Sequence, residues 1–115
     1  MKKFEKLMQN LLYLSSQEEN LKSEVDEAYR NSPRLKSLAA QQQVLQDQLQ
    51  SLTNQMMELS KETFAITPEI GRGLGKANAG MQEAKVKLTD RNTAQAGESQ
   101  NLAMQGLNEA AVGLF

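Results

Sequence analysis

The chain has 115 residues, a formal net charge of −1, and no cysteine, histidine or tryptophan; only 4% of its residues are aromatic. That length allows one domain, and the near-balance of charge argues against a partner selected by charge alone, such as duplex nucleic acid or an anionic membrane surface. The missing cysteine and histidine remove disulfides, thiolate catalysis, most metal ligation and the commonest general base.

The first helix is expected over residues 2–30. From Phe4, alternating steps of three and four select Leu7, Leu11, Leu14, Glu18, Leu21, Val25 and Ala28, a heptad seam with one polar member, and Met8 and Leu12 widen its start. A second helix over 33–62 carries Leu35, Leu38, Gln42, Leu45, Leu49, Leu52, Met56 and Leu59, again with one polar interruption. A third over 68–88 reads Ile70, Leu74, Ala77, Met81, Ala84 and Leu88. The fourth, over 93–114, is weaker: Gly97, Gln100, Met104, Leu107, Ala111 and Leu114. No segment alternates β-branched and polar residues with period two, so no sheet is expected. The predicted fold is all-α: antiparallel helical hairpins in a coiled-coil four-helix arrangement, with a leucine-rich hairpin in 1–66 and a glycine- and alanine-rich hairpin in 67–115.

Between the helices lies start and stop chemistry. Asn31 suits a left-handed helix end, Ser32 an N-cap and Pro33 a first helical position. Thr67-Pro68-Glu69 repeats the pattern, with Glu69 where a negative charge favours the helix dipole. Asn92 or Thr93 can cap the fourth helix. The heptad phase also runs on through Pro33 by way of Ser32, and through Pro68 by way of Thr63 and Ile66, so a kinked rod competes with a folded hairpin. An interior proline costs roughly 3 kcal/mol and one at the first helical position almost nothing, which favours turns.

A hairpin about residue 31 or 32 would bring Glu18 and Gln42 to nearly the same level, as a polar pair that fixes register. Lys22, one turn beyond Glu18, could then satisfy the carboxylate. The plainer reading has Glu18 leaning out to water at the seam's edge. In the second half, small residues at Gly73, Ala77, Gly80 and Ala84 line one side of the third helix and permit close backbone approach, although each helical glycine costs up to about 1 kcal/mol relative to alanine. Helices three and four should therefore depend on packing against the longer pair or against another chain; partial disorder of this half is the alternative.

Catalytic signals are weak. Gly71-Arg72-Gly73-Leu74-Gly75-Lys76 fails as a phosphate loop, which would need glycine at Ile70, a hydroxyl at Ala77 and a preceding strand. Glu58 with Glu62, Glu18 with Lys22 and Glu83 with Lys87 read as surface charge patterning. The glutamines at 41–43, 46, 48 and 50 read as a solvated face, or more sharply as a contact surface for a partner helix. Basic residues do not cluster, and Tyr13 and Tyr29 alone supplement the phenylalanines as base-stacking groups, so nucleic-acid binding is not expected. The run Leu11-Leu12-Tyr13-Leu14 is closed by Ser15, too short for a secretory or spanning segment.

Several short elements occur in a recognisable order: Leu14-Ser15-x-Gln17-Glu18, Gln43-x-Leu45-x-x-x-Leu49, Leu59-Ser60-Lys61, the helix start at Pro68, Met81-x-x-Ala84-x-x-x-Leu88, Ala94 and Ala96, and Gln100-x-x-Ala103-Met104-x-x-Leu107-Asn108. Together they resemble the C-terminal coiled-coil region of a family of very large, membrane-anchored bacterial proteins of undefined function. The resemblance implies an extracytoplasmic, envelope-associated helical region and offers no catalytic residues to carry over. This chain departs from the family in being short and in lacking the membrane segments. Its ending, Val112-Gly113-Leu114-Phe115, reads as a cut, so a piece of a longer reading frame is expected.

The functional expectation is a non-enzymatic interaction or scaffolding module, without cofactor or metal, that meets partner helices or copies of itself through its seams and does not itself insert into a membrane. Helices this long with so few aromatics are expected to have difficulty closing a core in one copy, which favours self-association. The alternative is a stand-alone secreted or secretion-chaperone hairpin that dimerises.

Overall fold

The computed structural model describes residues 2–28, 32–61 and 67–114. Four helices account for nearly all of them: α1 (Lys2–Glu27), α2 (Arg34–Ser60), α3 (Pro68–Thr89) and α4 (Thr93–Gly113); no strand occurs among the described residues. The protein is an all-α, four-helix bundle. Of the expected helix bounds, those at 30 and 62 lie outside the described residues, and the others fall within one residue of the observed ones. Tyr29, Asn31, Glu62, Thr63, Ile66, Phe115 and the side chain of Phe4 lie outside what is described.

The helices run up, down, up and down around a shared core, in a bundle 48 Å long and 20 × 18 Å across. Each packs against two neighbours, in the order α1, α2, α3, α4 and back to α1, while the diagonal pairs keep their backbones apart. Both prolines therefore mark turns and not kinks. The start of α2 is held by Ser32, whose hydroxyl accepts from the Arg34 N–H at 3.1 Å and whose carbonyl accepts from Leu35 N–H at 3.2 Å. Pro33 has helical angles, φ −64° and ψ −16°, as the fixed ring favours. At α3, Thr67 is extended and its carbonyl accepts from the N–H groups of Ile70 and Gly71. The Glu69 carboxyl is held below its ordinary range by a backbone N–H, then by the Thr67 hydroxyl.

The turn between α3 and α4 is tighter than the residue types suggest. Arg91 takes φ 62°, the left-handed conformation usually left to glycine. Its N–H reaches the Leu88 carbonyl at 3.1 Å and that of Asn92 reaches Lys87 at 2.8 Å, the paired bonds of a Schellman ending. Asn92 then caps α4, its side-chain oxygen accepting from Gln95 N–H at 3.1 Å. The Arg91 guanidinium also donates to the Ser32 carbonyl, tying together the two turns at this end of the bundle.

The seams face inward in one copy. Leu7, Leu11, Leu14, Leu21, Val25, Leu35, Leu38, Leu45, Leu49, Leu52, Met56, Leu59, Ile70, Leu74, Met81, Leu88 and Leu107 are all buried. At about 1.5–3 kcal/mol for each large aliphatic side chain fully withdrawn from water, these residues supply the main drive for folding. A single chain thus closes the core that was expected to need a second copy, because α3 and α4 cover the leucine seams of α1 and α2. Met8, Ala28 and Leu114 are partly buried and pack against the edge of this core, while two other side chains of the predicted stripes leave it. Leu12 is 47% exposed and does not widen the first seam, and Met104 is only half-buried.

Met104 falls outside the wider set that α4 buries, which keeps the predicted Gly97, Gln100, Leu107 and Ala111 and adds small residues beside them. Ala96, Gly97, Ser99, Gln100, Ala103, Gly106, Leu107, Ala110 and Ala111 are all covered, a broad arc of mostly small residues. Helices α3 and α4 meet backbone to backbone along it. A Cβ added at Gly80 would lie 2.7 Å from both Ala103 N and Ser99 O, and one at Gly73 2.8 Å from Gly106 O. The reverse holds at Gly106, whose Cβ would strike the Gly73 carbonyl and Ala77 N. The small-residue strip of α3 therefore meets α4 more closely than it meets the longer pair, with a Lys76–Glu109 ion pair at 2.8 Å along its edge.

Candidate functional site

Two features stand out from this core: a polar layer in its middle and a groove on the outside of the α1/α2 pair. The layer comes from three helices. Gln42 Nε2 donates to Glu18 Oε2 at 2.8 Å, and Gln100 Nε2 donates to Gln42 Oε1 at 3.0 Å. All three side chains are wholly excluded from solvent. Helices α1 and α2 are neighbours, whereas α2 and α4 lie across the bundle, so the chain of bonds spans the core.

Burial pushes the Glu18 carboxyl up to about 7 from its ordinary 4.5, and the Gln42 amide only partly offsets this. The plainer expectation, that Glu18 leans out to water, is overturned. So is the expected role of Lys22, which pairs with Asp26 at 2.9 Å on the surface and leaves Glu18 to the amide. Gln42 lies where the hairpin places it. The missing member of the layer was Gln100. Its signal was present, since α1, α2 and α4 each carry one long polar residue at a seam position (Glu18, Gln42 and Gln100) and the fourth seam already turned Gln100 inward, but spacing along one helix does not show which polar residues meet across the bundle.

The other glutamines divide. Gln43 Oε1 accepts from Lys85 Nζ and Gln46 Nε2 donates to Asn78 Oδ1 at 3.1 Å, so both join α2 to α3. Gln41, Gln48 and Gln50 remain on the exposed face. Glu83 accepts from Ser99 Oγ at 3.4 Å across the α3/α4 contact.

Along the outer side of α1 and α2 runs a groove of about 340 Å³ between Tyr13, Gln17, Asn20, Leu21 and Glu24 on one wall and Gln41, Val44, Leu45 and Gln48 on the other. A second hollow of about 240 Å³ continues it past Tyr13 and Gln48 to Asn10, Ser51 and Leu52. Tyr13 is 60% and Val44 53% exposed, so apolar surface that the bundle does not use flanks the opening. The groove exists because leucine seams hold these two helices apart by side-chain length, unlike the backbone contact of α3 with α4. Its lining has one charged side chain, Glu24, among amides, an alcohol and aliphatic groups.

The segment Gly71–Lys76 lies inside α3, with Gly73 packed on α4 and Lys76 paired with Glu109, and forms no loop around an anion. Among the described residues, no three acidic side chains converge as a metal site would require. None of the described helices is long and apolar enough to cross a membrane.

The sequence matches a family described as a domain of unknown function (DUF4175) over residues 3–115. No curated protein and no solved structure matches the chain.

Proposed function

The chain belongs to the DUF4175 family, and we propose that it serves there as a non-enzymatic helical interaction module, receiving a protein helix in the outer groove of α1 and α2. The observation that carries this reading is Tyr13 and Val44, two large side chains more than half exposed on opposite walls of one groove. Grooves of this kind accept an amphipathic helix by its apolar stripe, and the amide rim supplies hydrogen bonds without selecting for charge. The floor beneath is Leu21 and Leu45, already fixed by the core, so the surface is preformed. The seam leucines hold the module's own fold, and the partner is met by the outward face.

The resemblance to membrane-anchored bacterial proteins supports a place in a larger envelope-associated assembly. Against catalysis stand the absence of histidine and cysteine from the sequence and a groove whose one ionisable wall residue besides Tyr13 is Glu24. A second reading, the stand-alone module that dimerises, uses the same groove with a second copy as its occupant.

Because the chain has no cysteine, Val44→Cys gives a single attachment point for a photo-crosslinker in the natural host. Crosslinks to one protein, lost in the variant carrying Tyr13→Glu as well, are expected; helicity and urea midpoint should be unchanged because both sites are exposed. Sedimentation equilibrium of the purified chain separates the two occupants. A crosslink pattern indifferent to Tyr13→Glu, in a variant that remains folded, would overturn the groove as the docking surface.

A further inference from the structure

The polar layer has an imbalance that points to a proton. Two bonds run in one direction, from Gln100 to Gln42 and from Gln42 to Glu18. They leave Glu18 Oε1 and Gln100 Oε1 buried with no partner. Both are acceptors when the carboxyl is ionised, and a buried acceptor without a donor costs about 1–3 kcal/mol, more when it is charged. One added hydrogen on Glu18 balances the groups: three donor groups, the carboxyl O–H and two amide NH2, face three acceptor oxygens.

We propose that Glu18 is carried as the neutral acid in the folded bundle, and that the layer acts as a proton-operated latch joining α1 to α2 and α4. Ionisation leaves a carboxylate in the core facing a single neutral amide donor. Among the described residues, no cation is placed to replace the proton. On α1, Lys22 is engaged by Asp26 and Glu19 is exposed. From α2, the charged residues Arg34, Lys36, Asp47 and Glu58 are exposed, and from α4 so are Glu98 and Glu109. On α3, which packs against α2 and α4, Lys85 donates to Gln43 and Glu83 accepts from Ser99.

The folded state thus holds a proton that the unfolded chain releases, so stability falls as pH rises between the two titrations. The raised carboxyl, at about 7 against 4.5, sets the window: the contribution is whole below about pH 4.5 and lost as pH climbs through about 7. On that shift the folding equilibrium constant drops on the order of 100-fold between pH 5 and 8.

The test is urea denaturation from pH 5 to 8 for the wild-type chain and for Glu18→Gln, whose amide carries its own donor and does not titrate. The wild type should lose stability across the range, and the variant should lose most of that slope and match or exceed the wild type at pH 8. A second measurement, the carbon-13 titration of the Glu18 side-chain carboxyl in the wild-type fold, does not depend on the variant folding. A midpoint near 7 supports the latch, and one in the ordinary carboxylate range overturns it. An equal pH slope in wild type and Glu18→Gln also overturns it, as does a carboxyl midpoint that moves with added sodium or calcium, which would put a metal ion where the proton is assigned.

Discussion

The two hairpins of this bundle solve the same packing problem with opposite materials. Between α1 and α2 the contact is made by leucines, which are bulky and leave a groove outside the seam. Between α3 and α4 it is made by Gly73, Gly80 and Gly106 against backbone atoms, with almost no side chain in between. The first arrangement gains stability from area withdrawn from water and tolerates gaps at the surface. The second draws on the dispersion contacts of closely apposed backbones, and no atom can be added without moving a helix. The α1/α2 groove with its exposed Tyr13 and Val44 consequently lies on the leucine side, and a second hollow of about 370 Å³ lies where α2 meets α3, beside the exposed Met57.

The largest expected effect tests the leucine half. Leu49→Asp places an unpaired charge in the core, which exceeds what most domains of this size can absorb, and far-UV circular dichroism should show an unfolded chain. Retained helicity and a cooperative melt would break the comparison, since the seam would then not be what closes the fold. Next comes the glycine half. Gly106→Ala gains up to about 1 kcal/mol in helix propensity, but its new methyl meets the Gly73 carbonyl and Ala77 N, and backbone cannot yield as a side-chain tip can. A net loss of roughly 3 kcal/mol is expected by urea denaturation, at the upper end for overpacking. The polar layer joins the halves, and its pH dependence should be of similar or slightly smaller size, up to about 3 kcal/mol between pH 5 and 8. The smallest effect is the sharpest control. Gly75 lies on α3 with nothing within 4 Å of its added Cβ, so Gly75→Ala should stabilise by roughly 0.5–1 kcal/mol. Opposite signs for two glycine-to-alanine changes in one hairpin would isolate backbone contact as the cause.

Much of the architecture was legible from spacing. Leucines at three- and four-residue steps marked the buried faces of α1 and α2, and Ser32, Pro33, Thr67, Pro68 and Asn92 marked where α2, α3 and α4 begin. These are local signals, since helix periodicity and capping act within a few residues. The face of α4 was harder to read. Alanine and glycine carry little hydrophobic contrast, so Ala103, Gly106 and Ala110 did not outweigh Met104 as a guide to what is buried. Leu12 was misplaced for a related reason: apolar character at one edge of a stripe does not say whether a neighbouring helix extends far enough to cover it. Neither Tyr13 nor Val44 could be read as groove walls, because a groove belongs to a pair of helices.

Sequence by itself determined that four helices form, where three of them begin, and which leucines seek cover, because those properties are written in the order of neighbouring residues. Only the tertiary structure decided that one copy suffices to cover them, that α3 and α4 touch through their backbones, and that Gln100 completes the layer begun by Glu18 and Gln42. These outcomes depend on distances between residues remote along the chain. A buried carboxyl responds to everything around it, so its protonation is a property of the assembled core.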